Sequence, residues 1–128
     1  LADLCAKYDA AEERARRTFM ESRNFEVAVV QYTEAIASLK KVVKCLHSDV
    51  DGSSDMADAW RKDLAPLFWS RAAAHMVLGR HRSAAADCAL ALEADDDFDE
   101  AFLRMGEALL MAGEVEQADD AFRLGMKE

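Results

Sequence analysis

The residues able to do chemistry here are three cysteines, three histidines and a group of aspartates in mid-chain. Cys5, Cys45 and Cys88 are odd in number and far apart, and no CxxC occurs, so neither a disulfide framework nor a zinc knuckle is indicated. Cys45 and His47 would supply half of a zinc site, but no second Cys/His pair lies near them in sequence. The stretch HSDVDGSSDMAD, residues 47–58, places His47, Asp49, Asp51, Gly52, Ser53, Asp55 and Asp58 at the spacing of a calcium-binding EF-hand loop. His47 stands where the first Asp belongs, Asp58 replaces the bidentate Glu, and Ser54 replaces an apolar residue, so the stretch reads as a solvated acidic loop. His75 falls on the buried side of an apolar-periodic segment, with no Ser, Cys or carboxylate at a matching helical spacing, and reads as a packed core histidine. Glycine-rich phosphate loops and nucleophile elbows do not occur. The expectation is a protein without catalytic residues, metal or cofactor, its cysteines reduced in a cytoplasmic setting.

The elements that would carry these residues are helical. Over half of the 128 residues are apolar, with one Pro and five Gly, and Ala, Glu, Leu and Arg prominent. Sixteen basic against 25 acidic residues leave a formal charge of −9, which disfavours nucleic acid and anionic membrane surfaces as partners. Basic partners would be drawn in weakly at physiological salt. No apolar run approaches membrane-spanning length.

The strongest signal is a repeat. FWSRAAAHMVLGRHRSAAADCALALEAD, residues 68–95, aligns without a gap on FLRMGEALLMAGEVEQADDAFRLGMKE, residues 102–128. Phe68 matches Phe102, Ala72 matches Gly106, Gly79 matches Gly113, Ala84 matches Ala118 and Cys88 matches Phe122, each 34 residues on. An earlier copy holds Phe19, Ala28, Tyr32 and Ala35. Small residues in both helices of a hairpin let their axes approach, bulkier ones four positions on fill the gap, and Gly79 and Gly113 admit a left-handed turn. Each hairpin leaves an apolar face that the next one closes.

From Ala28 to Ala84 is 56 residues, a 34-residue repeat plus a 22-residue insertion. Ile36, Leu39, Val43 and Leu46 keep a helical period, so the second helix is expected to run through about Cys45. A polar loop follows, then a helix N-capped by Ser54 or Asp55, with Pro66 at a new first turn or a kink. The expected boundaries are repeat one about 9–42, insertion about 43–64, repeat two about 65–98 and repeat three about 99–128, in one all-α domain. The run ADDDFDE, residues 94–100, is expected to cap the third repeat's first helix. A chain that opens on Leu1 and stops at Glu128 inside an apolar period reads as a piece of a longer protein, its last hairpin face open.

This pattern resembles the tetratricopeptide repeat family, strongly in repeats two and three and less so in repeat one. QYTEAIASLKKV and SRAAAHMVLGRHRSAAADCALAL are similar to the domains of immunophilin-type co-chaperones and the aryl-hydrocarbon-receptor-interacting protein group. The resemblance implies an α-α superhelix whose first helices line a concave groove that binds a protein or peptide, with heat-shock chaperone tails among the family's ligands. Family members clamp such acidic tails with Lys, Asn, Asn, Lys and Arg. Residue by residue those places hold Glu13, Arg17, Ser70, Glu100 and Arg104, or Glu12 and Arg16 in repeat one if its alignment shifts by one. Two lysines have become glutamates, so the clamp is degenerate and EEVD-type tails are expected to bind poorly. Trp69, Ala73, Met76, Leu103 and Leu110 are the apolar groove candidates, whereas Trp60 and Leu64 read as core. The peptide-binding set is therefore Arg17, Trp69, Ser70, Ala73, Met76 and Arg104. The competing reading is a scaffold segment that binds through its convex face or its insertion.

Overall fold

The computed structural model describes residues 2–47 and 54–126, and all the regular structure among them is helical. In chain order the helices are α1 (Ala2–Arg17), α2 (Phe25–His47), α3 (Ser54–Lys62), α4 (Leu64–Val77), α5 (His81–Ala94), α6 (Glu100–Met111) and α7 (Val115–Gly125). α1 packs on α2, α4 on α5 and α6 on α7, making three hairpins, and α2 with α4 and α5 with α6 join one hairpin to the next. None of the described helices is long and apolar enough to cross a membrane.

The repeated small residues do what their spacing requires. Ala28, Ala84 and Ala118 are each the fourth residue of the second helix of a hairpin and each is fully buried. Each also donates the first intrahelical hydrogen bond, to Asn24, Arg80 and Glu114 at 2.9, 3.0 and 2.9 Å. Size is complementary across α6 and α7: a Cβ built on Gly106 would meet the Phe122 ring at 2.5 Å. In the second hairpin Ala72 and Cys88 hold the two equivalent places. Gly79 and Gly113 take φ of +79° and +86°. Their N–H groups reach Met76 and Leu110, and the next N–H groups reach back to His75 and Leu109, closing both helix ends in the same doubly bonded turn.

The first hairpin turns differently. α1 continues into a wider π-helical turn, Thr18–Ser22, and Arg23 takes the left-handed conformation at φ +55°. Asn24 then caps α2, its Oδ1 accepting from the Val27 N–H at 3.3 Å. Phe19 and Phe25 meet edge to face across the turn, ring centres 5.2 Å apart.

α2 runs 23 residues, and α3 packs on its far end. From α3, Trp60 reaches Tyr8 of α1 edge to face at 6.2 Å, while Leu64 is buried. Pro66 is the third residue of α4, where its missing N–H deprives no ladder bond. Residues 48–53 of the EF-hand-like stretch, with Asp49, Asp51, Gly52 and Ser53 among them, lie outside the described residues. The acidic run before α6 behaves otherwise than expected: Asp99 precedes the helix without a side-chain capping bond. Asp95 instead accepts the Asp97 N–H at 3.1 Å in a local turn. The acids contribute there through charge near the positive helix end rather than through a cap.

Candidate functional site

α1 and its π-helical turn, α4 and α6 enclose a cleft of about 220 Å³. α4 supplies Trp69, Ser70 and Ala73, three residues on nearly one face, and α6 supplies Arg104. From the first hairpin come Glu12, Arg16, Phe19 and Met20. Tyr32 reaches in from α2 to line the cleft beside Ser70, and burial pushes its phenol pKa up.

Arg104 organises one wall. Its guanidinium carbon lies 3.9 Å from the centre of the Trp69 ring, and Nη1 donates to the Trp69 carbonyl oxygen at 2.7 Å. The indole is held on another side by Phe98, edge to face at 5.7 Å. Its Nε1 is buried without an acceptor among the described residues. Burial lowers the Arg104 pKa, opposed by Cys88 and Glu107. No carboxylate among the described residues forms an ion pair with Arg104. Across the cleft Arg16 makes only a long contact with Glu12, 3.5 Å within α1.

Of the six residues that the sequence marks, Trp69, Ser70, Ala73 and Arg104 converge in this cleft. Arg17 does not. It points away and pairs with Glu13 at 2.9 Å, beside Arg14 and Thr18. Neighbouring residues of a helix project about 100° apart, and the rotation of α1 brings Glu12 and Arg16 inward instead. Met76 is half-buried against the core rather than in the cleft. Glu100 and Leu103 line a separate apolar hollow with Phe122 and Met126, and Leu110 is exposed. Phe19, Met20 and Tyr32 join the cleft without being marked by the sequence. The repeat offers Phe19 and Tyr32 as packing positions, and Met20 follows from the π-helical turn, which nothing in the local spacing announces.

His75 has the carboxylate neighbour that helical spacing could not reveal. Asp87, from α5, lies 3.6 Å from its Nε2. That carboxylate is held by Arg71, whose Nη2 and Nε donate at 2.6 and 2.9 Å, while Nη1 donates to Thr33 of α2 at 3.0 Å. Burial lowers the His75 pKa, Asp87 opposes this, and Arg71 and Arg80 add to it. A carboxylate satisfied twice by a guanidinium is a poor partner for an imidazole base, so the cluster reads as a buried joint. Asp95, Asp96 and Asp97 bring carboxylate oxygens within 4.8 Å of one another on a largely exposed turn, the nearest approach to a cation site among the described residues. Cys88 is buried and its thiol is pushed up to about 12 by burial, which leaves it unreactive.

No protein-family model matches the chain. Among curated proteins it is 29% identical over 102 residues to Tetratricopeptide repeat protein 12 of Homo sapiens, covering 80% of this chain and 11% of that protein. It is 30% identical over 114 residues to the Protein SGT1 homolog of Oryza sativa subsp. japonica, covering 89% and 25%. It is 36% identical over 64 residues to the Small glutamine-rich tetratricopeptide repeat-containing protein 2 of Mycosarcoma maydis, covering 49% and 18%. The chain thus spans between 11% and 25% of the length of these relatives. Among solved structures, the second TPR of Spaghetti (RPAP3), bound to the HSP90 peptide SRMEEVD, superposes with a TM-score of 0.70 at 23% identity, covering 98% of this chain and 97% of that one. The fold is that of the tetratricopeptide repeat.

Proposed function

We propose that this tetratricopeptide-fold chain is a recognition module, an adaptor of co-chaperone type that receives a peptide segment of a partner protein in the cleft between α1, α4 and α6. One observation carries the reading. An aromatic wall and two arginines from three different helices meet around a concave space, with Arg104 stacked on Trp69 and lacking a counter-ion among the described residues. Half-buried aromatic and arginine side chains in a pocket are the usual anchors of a protein interface. Two further facts support it: the SGT1 and small glutamine-rich relatives, and a structural neighbour that holds an HSP90 peptide. The docking set becomes Arg16, Trp69, Ser70, Ala73 and Arg104, with Arg16 replacing Arg17. A cytoplasmic setting suits its three unpaired cysteines. Recognition rather than catalysis also suits the His75–Asp87 pair, which Arg71 keeps occupied.

The test is capture of peptides from a display library by the immobilised chain, then titration calorimetry. Micromolar affinity is expected, since short peptides lose conformational freedom on binding. Trp69→Ala should weaken binding by roughly tenfold or more, the behaviour of an anchor worth upwards of ~1.4 kcal/mol. Binding unchanged in Trp69→Ala would move the contact surface out of the cleft, for instance to the second helices, where Val27 and Val30 of α2 and Leu90 of α5 are exposed.

A further inference from the structure

We propose that Ser83 is a phosphorylation site, modified by a protein kinase that reads arginines just upstream, and that its phosphate is held by the N-terminus of α5 together with Arg80 and Arg82. The proposal is independent of the cleft.

The segment around Ser83 is GRHRSAAAD, with Arg80 three places and Arg82 one place before the hydroxyl. Protein kinases tell substrates apart by such charge patterns. Ser83 and both arginines are exposed. Ser83 is the third residue of α5, and the helix ladder starts one residue later, where the Ala84 N–H donates to the Arg80 carbonyl at 3.0 Å. The N–H groups of His81, Arg82 and Ser83 therefore have no partner within the helix. A kinase that takes an extended segment has only this first turn to open, and ahead of it the chain is already a turn, with Gly79 at φ +79°. The other basic run, Arg16 and Arg17 before Thr18, leads to a half-buried hydroxyl where α1 ends, and a phosphate at that negative helix end is disfavoured.

The start of α5 also lacks the charge that its counterparts have. α2 and α7 carry Glu26 and Glu116 in their first turns, whereas α5 has no acid there and no side-chain cap, and Arg82 stands in the equivalent place. A phosphate on Ser83 supplies the missing negative charge at the positive helix end and can accept from the free N–H groups. Gly79, Arg80, His81, Arg82 and Ser83 line an open hollow of about 380 Å³ beside Ala112 of the third hairpin. His81 Nδ1 is buried there without a hydrogen-bond partner among the described residues.

Both arginines are now engaged elsewhere. Arg80 meets Glu26 of the first hairpin at 2.6 Å, and Arg82 meets Glu114 of the third at 3.0 Å. A phosphate brings up to two charges and three acceptor oxygens, tethered one and three residues from these guanidiniums, against a single charge on each carboxylate. It draws both arginines towards α5. Modification thus tightens the start of α5 and loosens two links between hairpins. In the transfer, Ser83 Oγ attacks the γ-phosphorus of ATP. The new O–P bond forms as the bond to the ADP oxygen breaks, ADP leaves with that electron pair, and the hydroxyl proton passes to a base of the kinase.

The experiment incubates the 128-residue chain, Ser83→Ala, Arg80→Gln and Arg82→Gln with ATP and a panel of arginine-directed protein kinases. Each variant is checked for folding by circular dichroism, and sites are located by mass spectrometry. At least one kinase should add a single phosphoryl group, at Ser83. Arg80→Gln should slow incorporation about tenfold or more, the loss of one charge-assisted contact with the kinase. The phosphorylated chains are then titrated by phosphorus NMR. The second pKa of the phosphoserine should lie below its ordinary value of about 6 in the folded chain, return to it in urea, and rise in phosphorylated Arg82→Gln. No incorporation at Ser83 by any kinase of the panel would overturn the proposal, as would incorporation only into chain already unfolded by urea. A second pKa that is the same in the folded and unfolded chains would refute the part played by the arginines and the helix end.

Discussion

His75 shows how far a single side chain can be from its sequence neighbours in meaning. Only 13% of its side chain is exposed, Nδ1 has no hydrogen-bond partner among the described residues, and Nε2 faces a carboxylate already engaged by Arg71. Burial first, and the two nearby arginines after it, hold its pKa below the ordinary histidine value. The folded chain therefore binds less proton here than the unfolded chain, and the stability tied to this residue is lost as pH falls below about 6.5. Asp63 acts in the opposite sense, since burial raises its pKa and acidification favours the folded form. Comparing wild type with His75→Gln removes that background. Urea midpoints measured from pH 7 to pH 5 should fall more steeply in wild type than in His75→Gln. Parallel curves would mean that the imidazole is protonated freely in the folded state.

Among the elements, the three hairpin turns are a natural comparison. Gly79 and Gly113 hold the left-handed position with no neighbour within 4 Å of a built Cβ. Arg23 holds the same conformation at the end of the π-helical turn, and its side chain is exposed. A left-handed L-residue carries a cost of about 1–2 kcal/mol that glycine avoids, offset in part by the glycine's greater freedom when unfolded. Arg23→Gly should thus raise stability by about 0.5–1 kcal/mol, read as a higher urea midpoint at unchanged slope. A lower midpoint would show that Arg23 contributes a contact that outweighs its backbone strain. The same turn aims Phe19 and Met20 at the cleft, so this element ties a strained backbone to the cleft wall.

At the scale of the whole molecule, charge pairs set how hairpins stack. Arg80 meets Glu26 at 2.6 Å and Glu114 meets Arg82 at 3.0 Å. Each pair links the start of one hairpin's second helix to the next hairpin's turn region, with the signs exchanged. Both are exposed, so they contribute at most about 1 kcal/mol each and favour the right neighbour more than they stabilise it. The Arg71–Asp87 pair is different: Asp87 is 4% exposed, and Arg71 ties α4 to α5 and, through Thr33, to α2. Asp87→Ala would strand a guanidinium between two hairpins and should cost about 3–5 kcal/mol, a large share of a typical domain's stability. Replacing both partners, Arg71→Met with Asp87→Leu, should recover most of that loss. Equal damage in single and double variants would show that packing volume, not the unpaired charge, is what matters.

The architecture was legible in the sequence because helix-to-helix distance is written in small residues at a fixed period. Ala28, Ala84 and Ala118 state where the second helices cross. Gly79 and Gly113 state where the backbone must reverse, and a fold that honours these places has stacked hairpins. The cleft was only half legible. Spacing within α4 put Trp69, Ser70 and Ala73 together, since one helix fixes its own faces. Which arginine of α1 turns inward depended on how α1 rolls against α2, and a step of about 100° separates Arg16 in the cleft from Arg17 outside it. Asp87 beside His75, Tyr32 beneath Ser70 and Arg104 over Trp69 each join different helices. Their distances are set by the packing of one helix on another, which periodicity along the chain does not encode.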